Sequence, residues 1–424
     1  MCAVVGHQAS KKASAEPLTY EGLRDSVRGD IAAIRSIVTL TPAGGPGTKV
    51  FPPTYEGRRY ATERRRLGDG EVQTVLLDSV QSQANRMELA LLAAYRRGEI
   101  ELPLLAVDFS NHFADLGEIT ALEAPHRIAD AIFRDSILEG KPFRESGPGQ
   151  RFAQARIDRA TALLELCPTA LIFGVWDSTG ELGGLGAKFE RALVSEIVGY
   201  QAVSGRKTVS RIDPLGIIST VAIHEAAKGG WTTEESEAKK DAKGAPVPYG
   251  RNARTRGKPS AINHGNVSPT ADLTNDTGEI IPGGVTIAYA EQSTVLSLVA
   301  LRRLRFPLKN HFSSEANAAG HTVLAALALA AIVYQRSEGY DLRSRCLLIP
   351  SRPPVFEVLP CDGSVPAALS FTAAQARQVF AAASEDARRC GLPWSNEKIT
   401  LQPSRQLIQL LTRSRKLSTV DTGN

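Results

Sequence analysis

One stretch, residues 74–97 (TVLLDSVQSQANRMELALLAAYRR), constrains the fold of this chain more than any other. It begins within an apolar run rich in Val and Leu, which predicts a strand over residues 72–77. Asp78 or Ser79 then supplies a side-chain oxygen that can cap a helix N-terminus. The apolar positions that follow repeat at helical spacing and predict a core face: Val80, Ala84, Met87, Leu91 and Ala94. The stretch therefore predicts a strand that turns directly into a packed helix.

The first two turns of this predicted helix are polar, with Gln81, Ser82, Gln83, Asn85 and Arg86. Ser82, Asn85 and Arg86 are three and four positions apart, which places them on one face of a helix. A helix N-terminus carries free N–H groups and a partial positive charge, and both suit a phosphate. The sequence leaves two interpretations open, a phosphate-binding face or an amphipathic helix whose first turn is solvated.

Two long segments carry a resemblance to a known family. LLDSVQSQANRME at residues 76–88, preceded by TLTPAGGPGTKVFPPTY at residues 39–55, resembles the backbone subunit of type I-U (also called I-G) CRISPR interference complexes. That subunit is a member of the RAMP superfamily and coats the guide RNA. Weaker similarity extends over residues 124–133, 174–191 and 283–305. The resemblance covers roughly residues 31–350.

The resemblance implies an α+β fold: an RRM-like (ferredoxin-like) antiparallel palm with helical insertions and a long, thumb-like loop insertion. The expected palm spans residues 30–350, with a helical insertion at 110–166 and a basic thumb-like loop at 226–282. Residues 351–424 are expected to form a C-terminal helical appendage. Strands and helices that alternate without strict βαβ order agree with an α+β class.

Residues 226–282 are rich in Gly, Lys, Thr, Asn and Pro and poor in apolar residues. Their centre holds a basic cluster of Arg251, Arg254, Arg256 and Lys258. Structureless loops of this length are uncommon in compact domains and are usually functional or disordered. The segment is either a disordered surface insertion or a thumb that folds upon binding RNA, and the resemblance favours the thumb.

Other basic segments are open to two interpretations each. The arginines of residues 58–66 form either a phosphate-binding strip or a solvated loop. Arg302, Arg303, Arg305 and Lys309 either line a groove or complement a helix C-terminus, where cations are favoured. Lys49 lies in a glycine-rich loop, but its spacing is not that of a phosphate-binding P-loop.

The net charge of the chain is only +5, from 50 basic and 45 acidic residues, so a nucleic-acid partner must depend on local basic patches. The RRM stacking motif is absent and aromatic residues make up 6% of the chain, which predicts contact with the sugar-phosphate backbone more than base stacking. The predicted RNA-binding residues are Lys49, Ser82, Gln83, Asn85, Arg86, Arg127, Arg251, Arg254, Arg256, Lys258, His264, Arg302 and Arg303.

Catalytic motifs are missing from the sequence. It has no H-E-x-x-H, no C-x-x-C and no G-x-S-x-G. We therefore expect no enzyme activity, no cofactor and no bound metal. Type III relatives cleave RNA with a loop aspartate, so Asp108, near the end of a predicted strand, is the carboxylate to watch. The alternative function is a metal-dependent endoribonuclease of the same superfamily that cleaves guide-paired RNA.

The partners implied by the resemblance are a CRISPR guide RNA, the target DNA strand paired to it, neighbouring copies of the chain joined head to tail, and other Cascade subunits. Five scattered cysteines predict free thiols in a reducing cytoplasm. The N-terminal MCAVVGHQASKK lacks the apolar core of a signal peptide. The longest apolar run, residues 322–334, predicts a buried helix that is too short to span a bilayer, so no membrane partner is expected.

Overall fold

A computed structural model describes residues 15–178, 187–253, 255–271, 273–274, 278–309 and 311–421 of the 424-residue chain. The fold mixes α-helices with β-strands. The chain divides into two compact units. The first contains the described residues of Met1–Pro53, Thr62–Ala202 and Ile287–Ile408, and the second those of Thr54–Ala61, Val203–Thr286 and Gln409–Asn424.

The strands, in chain order, are β1 (Glu16–Pro17), β2 (Ile31–Pro42), β3 (Thr62–Leu67), β4 (Gly70–Asp78), β5 (Leu104–Asp108), β6 (Glu118–Thr120), β7 (Ser136–Leu138), β8 (Lys141–Pro142), β9 (Val175–Trp176), β10 (Lys188–Phe189), β11 (Leu193–Tyr200), β12 (Val203–Arg206), β13 (Thr208–Arg211), β14 (His224–Glu225), β15 (Trp231–Thr232), β16 (Val267–Ala271), β17 (Pro282–Thr286), β18 (Tyr289–Ser297), β19 (Tyr340–Asp341), β20 (Leu347–Pro350), β21 (Phe356–Pro360), β22 (Ala367–Ser370) and β23 (Lys398–Pro403).

The α-helices are α1 (Tyr20–Arg28), α2 (Val80–Arg96), α3 (Ala131–Arg134), α4 (Gly147–Ala153), α5 (Thr161–Leu166), α6 (Thr169–Phe173), α7 (Leu298–Arg303), α8 (Ser314–Ser337), α9 (Ala373–Arg389) and α10 (Arg405–Asp421). Short 3-10 turns lie at Glu56–Arg58, Arg127–Ala129, Phe143–Glu145 and Pro259–Ile262.

The main sheet of the first unit has the strand order β1-β22-β21-β2-β18-β11-β4-β3, and β20 also pairs with β2. Neighbouring strands are antiparallel except β1 and β22. The chain passes from β2 through the β3–β4 hairpin and α2 to β11. It returns at β18, between β2 and β11, and continues through α7 and α8 to β20, on the far side of β2.

Side chains on β18 alternate in burial, as expected for a strand with one covered face. The buried side faces α2 and α8, which contact the sheet and each other. α8 is buried along most of its length and also contacts α1, α7 and α9. Its length and apolar composition would allow it to cross a membrane, but its apolar window is 94% buried inside the protein. The predicted buried helix is therefore confirmed, but the prediction that it is too short to span a bilayer is wrong, because α8 extends beyond residues 322–334 at both ends.

The smaller sheet of the first unit has the order β6-β5-β23-β7-β8. It corrects two predictions. The segment 110–166 contains three strands of this sheet as well as short helices, so it is not a purely helical insertion. Residues 351–424 are not a peripheral helical appendage, because β21 and β22 extend the main sheet and β23 lies between β5 and β7. Strand pairs between residues that are far apart in sequence make this region part of the core.

The second unit is built from three short antiparallel pairs, β12–β17, β13–β16 and β14–β15. Asp213 joins two of its segments by accepting hydrogen bonds from the backbone N–H groups of Gly265 and Leu215, and Arg211 donates to three carbonyls over residues 263–265. The expected loop without secondary structure at 226–282 is thus replaced by a folded unit that begins near Val203.

Candidate nucleic-acid interface

A cleft of about 590 Å³ lies beside the first turns of α2 in the first unit. Gln81, Ala84 and Asn85 form its helical wall, and His126, Trp176 and Lys188 are among the residues opposite. Within the described part of the chain, the side chains of Gln81 and Asn85 make no hydrogen bond. Two side-chain amides, each a donor and an acceptor, are therefore available to a ligand.

The wall opposite α2 is the β9–β10 pair. Lys188 lies directly across from Trp176, and its Nζ is 5.5 Å from the centre of the indole ring. The alternate residues, Val175 and Phe189, are buried. Gly174 precedes the pair with φ +83°, and a Cβ there would lie 3.0 Å from the carbonyl oxygen of Phe189. Glycine thus permits the close backbone approach that aims Trp176 and Lys188 at the cleft.

A second cleft adjoins the first because both are lined by Lys188. Its other lining residues are Arg156, Ile157, Asp158, Arg303 and Arg305. Apart from the buried Arg127, which is paired with Glu88, the two clefts together carry five cations and two carboxylates, and we call this combined area the basic surface. Its charged residues are Arg156, Lys188, Arg191, Arg303, Arg305, Asp158 and Glu190.

The cations of the basic surface are held in different ways. Arg156 and Arg305 each donate hydrogen bonds to nearby backbone carbonyls, which fixes their guanidinium groups without neutralising them. Arg303 lies 3.3 Å from Glu190, and both side chains are well exposed. Among the described residues Arg191 has no ion-pair partner. The surface is therefore positive, exposed and partly pre-oriented, as phosphate binding requires.

The polar residues in the first two turns of α2 have two roles: some line the cleft, and others bind the buried Asp78 carboxylate. The carboxylate of Asp78 is buried at the end of β4 and accepts from Ser82 Oγ (2.7 Å), Gln83 Nε2 (2.6 Å) and Arg86 Nε (2.9 Å). Arg343 lies 3.3 Å from the same carboxylate. A buried carboxylate needs such partners, because an unpaired charge is costly in the interior.

Gln83 also connects the sheet and both helices. Its Oε1 accepts from Ser195 Oγ (3.1 Å) and from Gln292 Nε2 (2.8 Å), and Gln292 in turn donates to Gln335 on α8. The predicted phosphate-binding face is thus corrected in part. Ser82, Gln83 and Arg86 complete an internal hydrogen-bond network, and Asn85 alone among the predicted α2 residues lines the cleft.

Arg127 lies in the interior. Its guanidinium makes a two-pronged ion pair with Glu88, at 2.7 and 2.8 Å, and donates to the carbonyl of Gly174 at 3.0 Å. The Arg127 side chain is 7% exposed and that of Glu88 is 1% exposed. Burial raises the pKa of Glu88, and the charge and hydrogen bonds of Arg127 oppose that rise. This geometry does not support direct contact between Arg127 and RNA.

The remaining predicted residues of the first unit, Lys49, Arg302 and Arg303, do not form one site. Lys49 lines a shallow pocket with Arg345 beside the glycine-rich loop. Arg302 donates to the carbonyls of Val27 and Ile31, at the end of α1 and just after it, so it complements a helix C-terminus, although of a different helix from its own. Arg303 alone of this set is part of the basic surface.

In the second unit, Arg251, Arg256 and Lys258 are exposed and His264 is half-buried. Arg256 donates to the carbonyl of Pro248 at 3.3 Å. Arg254 lies outside the described residues. The exposed cations of this cluster remain predicted RNA contacts.

The arginines of residues 58–66 are divided between the two units, and most of them form ion pairs with glutamates. Arg59 pairs with Glu279 in the second unit. In the first unit, Arg65 on β3 pairs with Glu196 and Glu63, which raises its pKa. Arg64 and Arg66 lie within 4.0 Å of Glu71. The carboxylates beside these arginines lower the net charge of the strip, which favours the interpretation of a solvated segment.

The sheet face opposite α2 and α8 also lacks a basic character. On β2 and its neighbour β21, Arg35 pairs with Glu357, while Ile37 is exposed. Glu291 lies on the same face of β18, and burial raises its pKa. The residues described on this face therefore do not form a second basic surface.

Asp108 is held by hydrogen bonds at the end of β5. Its Oδ1 accepts from the backbone N–H of Ser110 at 2.9 Å, and hydrogen bonds from Ser110 lower its pKa. Among the described residues, no group of three or more His, Cys, Asp or Glu side chains is placed to hold a metal ion. In the described chain, Asp108 stabilises the turn after β5.

Sequence reasoning missed several residues that line the two clefts: Gln81, Arg156, Trp176, Lys188 and Arg191. No short-range signal identifies this pair of strands, because each strand has only two residues and the two strands lie too far apart in sequence for a tight hairpin.

The class that these observations define is a mixed α/β protein with a basic, partly unpaired surface beside a packed helix. Residues 34–204 match the family model described as CRISPR-associated protein GSU0053 (Cas_GSU0053), about two fifths of the chain. The match shows a CRISPR-associated protein. The matched range contains α2, Asp78 and all the lining residues of the cleft beside α2. A comparison with curated proteins gave no match.

Proposed function

We propose that this chain is a non-catalytic, guide-RNA-binding backbone subunit of a type I (I-U/I-G) Cascade-like complex that acts in antiviral defence. The proposal joins the match to a CRISPR-associated family with the basic surface. The motifs at residues 39–55 and 76–88 supply the finer assignment to the backbone subunit.

The observation that carries the proposal is the basic surface beside α2. Five cations against two carboxylates give a local positive potential on a chain whose overall charge is small. Polar amides from Gln81 and Asn85 adjoin the cations. Positive charge attracts phosphates, and amides can bond to sugars or base edges. A single-stranded nucleic acid presents all of these groups.

The topology supports an RRM-like palm. If β2, α2, β11, β18, α8 and β20 are taken in order, the sheet order is fourth-first-third-second, which is the arrangement of a ferredoxin-like βαββαβ unit. In this description the β3–β4 hairpin is an insertion after the first strand, and the second unit is an insertion between the second and third strands.

Binding through sugar and phosphate suits a subunit that holds guides of any sequence and leaves their bases free to pair. The exposed cations of the second unit, Arg251, Arg256 and Lys258, are a second contact under this proposal. The proposal also includes assembly of neighbouring copies head to tail, contact with a target DNA strand and other Cascade subunits, and a cytoplasmic location.

The test is to co-express the chain with a CRISPR array, purify it and sequence the RNA that it retains. Recovery of array-derived RNA, enriched over total RNA whatever the spacer sequence, is the expected result. RNA that merely mirrors the cellular pool would contradict the proposal. Purified complex incubated with complementary RNA and Mg²⁺ should leave that RNA intact. Cleavage that Asp108→Ala abolishes would instead establish the ribonuclease alternative.

A further inference from the structure

We propose that Trp176 is a stacking platform for one nucleobase of a bound single-stranded nucleic acid, with Lys188 and Arg191 contacting the adjoining phosphates. The inference rests on the proposed RNA-binding function and adds to it a ligand group and a residue. It adds one base stack per copy to the predicted contacts with the sugar-phosphate backbone.

The exposure of Trp176 needs an explanation. Its side chain is 59% exposed, whereas that of Trp394 is 2% exposed and packed against Phe380. A large apolar ring left in water forgoes the hydrophobic stabilisation that burial would give. The hairpin holds the ring in this position, because Val175 and Phe189 anchor the other side of the same two strands.

The surroundings of the ring select the ligand. Lys188 lies over the indole at 5.5 Å, which places a cation beside an aromatic surface. The amides of Gln81 and Asn85 line the same cleft, as does Arg191. A ligand that fits must combine a flat π-surface, hydrogen-bonding edges and a negative charge. A nucleotide has all three, whereas an acidic peptide or an inorganic anion lacks the flat surface.

Stacking on an indole tolerates all four bases, because every base has a π-face. The cleft can therefore accept one unpaired base from any guide without sequence preference. This agrees with backbone binding elsewhere on the basic surface and does not require the base to be read by its edge.

The test measures the affinity of the full-length protein for an unstructured RNA oligonucleotide. Trp176→Ala should weaken binding by roughly five- to a hundredfold, the range expected for loss of one base–aromatic stack, while Trp176→Phe should retain most of the affinity. Trp176→Ala should leave the slope of affinity against salt concentration unchanged. The matched charge variant, Lys188→Ala, should lower that slope by roughly 0.7.

A chemical control separates stacking from a fold defect. With an abasic ribose-phosphate oligomer, Trp176→Ala and the wild type should bind equally. In a Trp231→Phe background, which removes the other well-exposed tryptophan, RNA should quench the fluorescence of Trp176. If the quenching disappears when Trp176→Phe is added to the Trp231→Phe background, the fluorescence change comes from Trp176.

Three outcomes would overturn the inference. Equal RNA affinity of the wild type and Trp176→Ala would show that the ring does not stack. Altered self-association of Trp176→Ala with RNA affinity unchanged would identify the ring as a protein contact. Absence of salt-dependent RNA binding by the wild type would refute the proposed function itself, and with it the platform.

Discussion

Removal of the Arg127 guanidinium tests how firmly the interior depends on its buried ion pair. Arg127→Ala leaves the Glu88 carboxylate buried without its two hydrogen bonds and without its counter-charge. Truncating one partner of a buried pair typically costs about 3–5 kcal/mol. We expect a loss in this range at pH 7, measured by urea denaturation. The loss should be smaller at pH 5, because a neutral carboxyl costs less to bury than a carboxylate.

Two further variants make the result specific. Arg97→Ala removes an exposed pairing with Glu99 and Glu338 and should leave the stability nearly unchanged, because solvent screens such pairs. The double variant Glu88→Gln, Arg127→Met removes both charges at similar volume and should recover most of the loss. A small effect of Arg127→Ala on stability, together with a large loss of RNA affinity per folded molecule, would refute this reasoning and return Arg127 to the RNA-binding surface.

Two more predictions concern α8. Gly320→Ala would place a Cβ 2.5 Å from the Phe306 ring, so the overpacking cost of about 1–3 kcal/mol should exceed the helix-propensity gain of about 1 kcal/mol. In the control Gly22→Ala on α1, the new Cβ meets only Thr19 Oγ1 at 3.4 Å, so this variant should not destabilise the protein. Thermal melts of both variants test the prediction. Burial lowers the pKa of His321 to about 4, so the unfolded chain binds the proton first, and stability should fall as the pH drops from about 6.5 to 4. This contribution is about 1.4 kcal/mol per pH unit, and urea titrations of His321→Gln should show a correspondingly flatter pH profile. Equal profiles for the two proteins would contradict the assignment.

The local structure of residues 72–97 could be predicted from sequence because its signals are local. The apolar run forms β4, and α2 begins after Ser79, whose Oγ accepts from the N–H of Ser82. Both elements follow from short-range pattern and capping chemistry. The buried helix α8 could be predicted for the same reason.

The direction of the polar side chains on α2 could not be predicted, because it depends on a residue outside the helix. Asp78, Ser82 and Arg86 are spaced by four, and the carboxylate at the end of β4 draws the other two side chains inward. That spacing is a usable signal in hindsight. A phosphate and a buried carboxylate both attract the same residue types, so composition alone does not distinguish them.

The C-terminal region was assigned wrongly because its partners are remote. β23 pairs in parallel with β5, and β21 pairs with β2, at separations of about 300 residues. Helical periodicity in α9 is visible locally, whereas the pairing of short strands is set by tertiary contacts. The hydrophobic pattern of such short strands does not determine which strands they pair with.

The most direct test of the central claim is the salt dependence of RNA binding by a variant of the basic surface. Changing Lys188, Arg191 and Arg303 to Ala should lower the log–log salt slope by roughly 2 units, at about 0.7 per single-strand phosphate. The reduction should be equal for RNAs of unrelated sequence. A charge-matched control, with Arg64, Arg66 and Arg97 changed to Ala, should keep the wild-type slope. The account would be contradicted if the variant of the basic surface kept the wild-type slope while the slope fell in the control. That result would show that RNA is bound elsewhere.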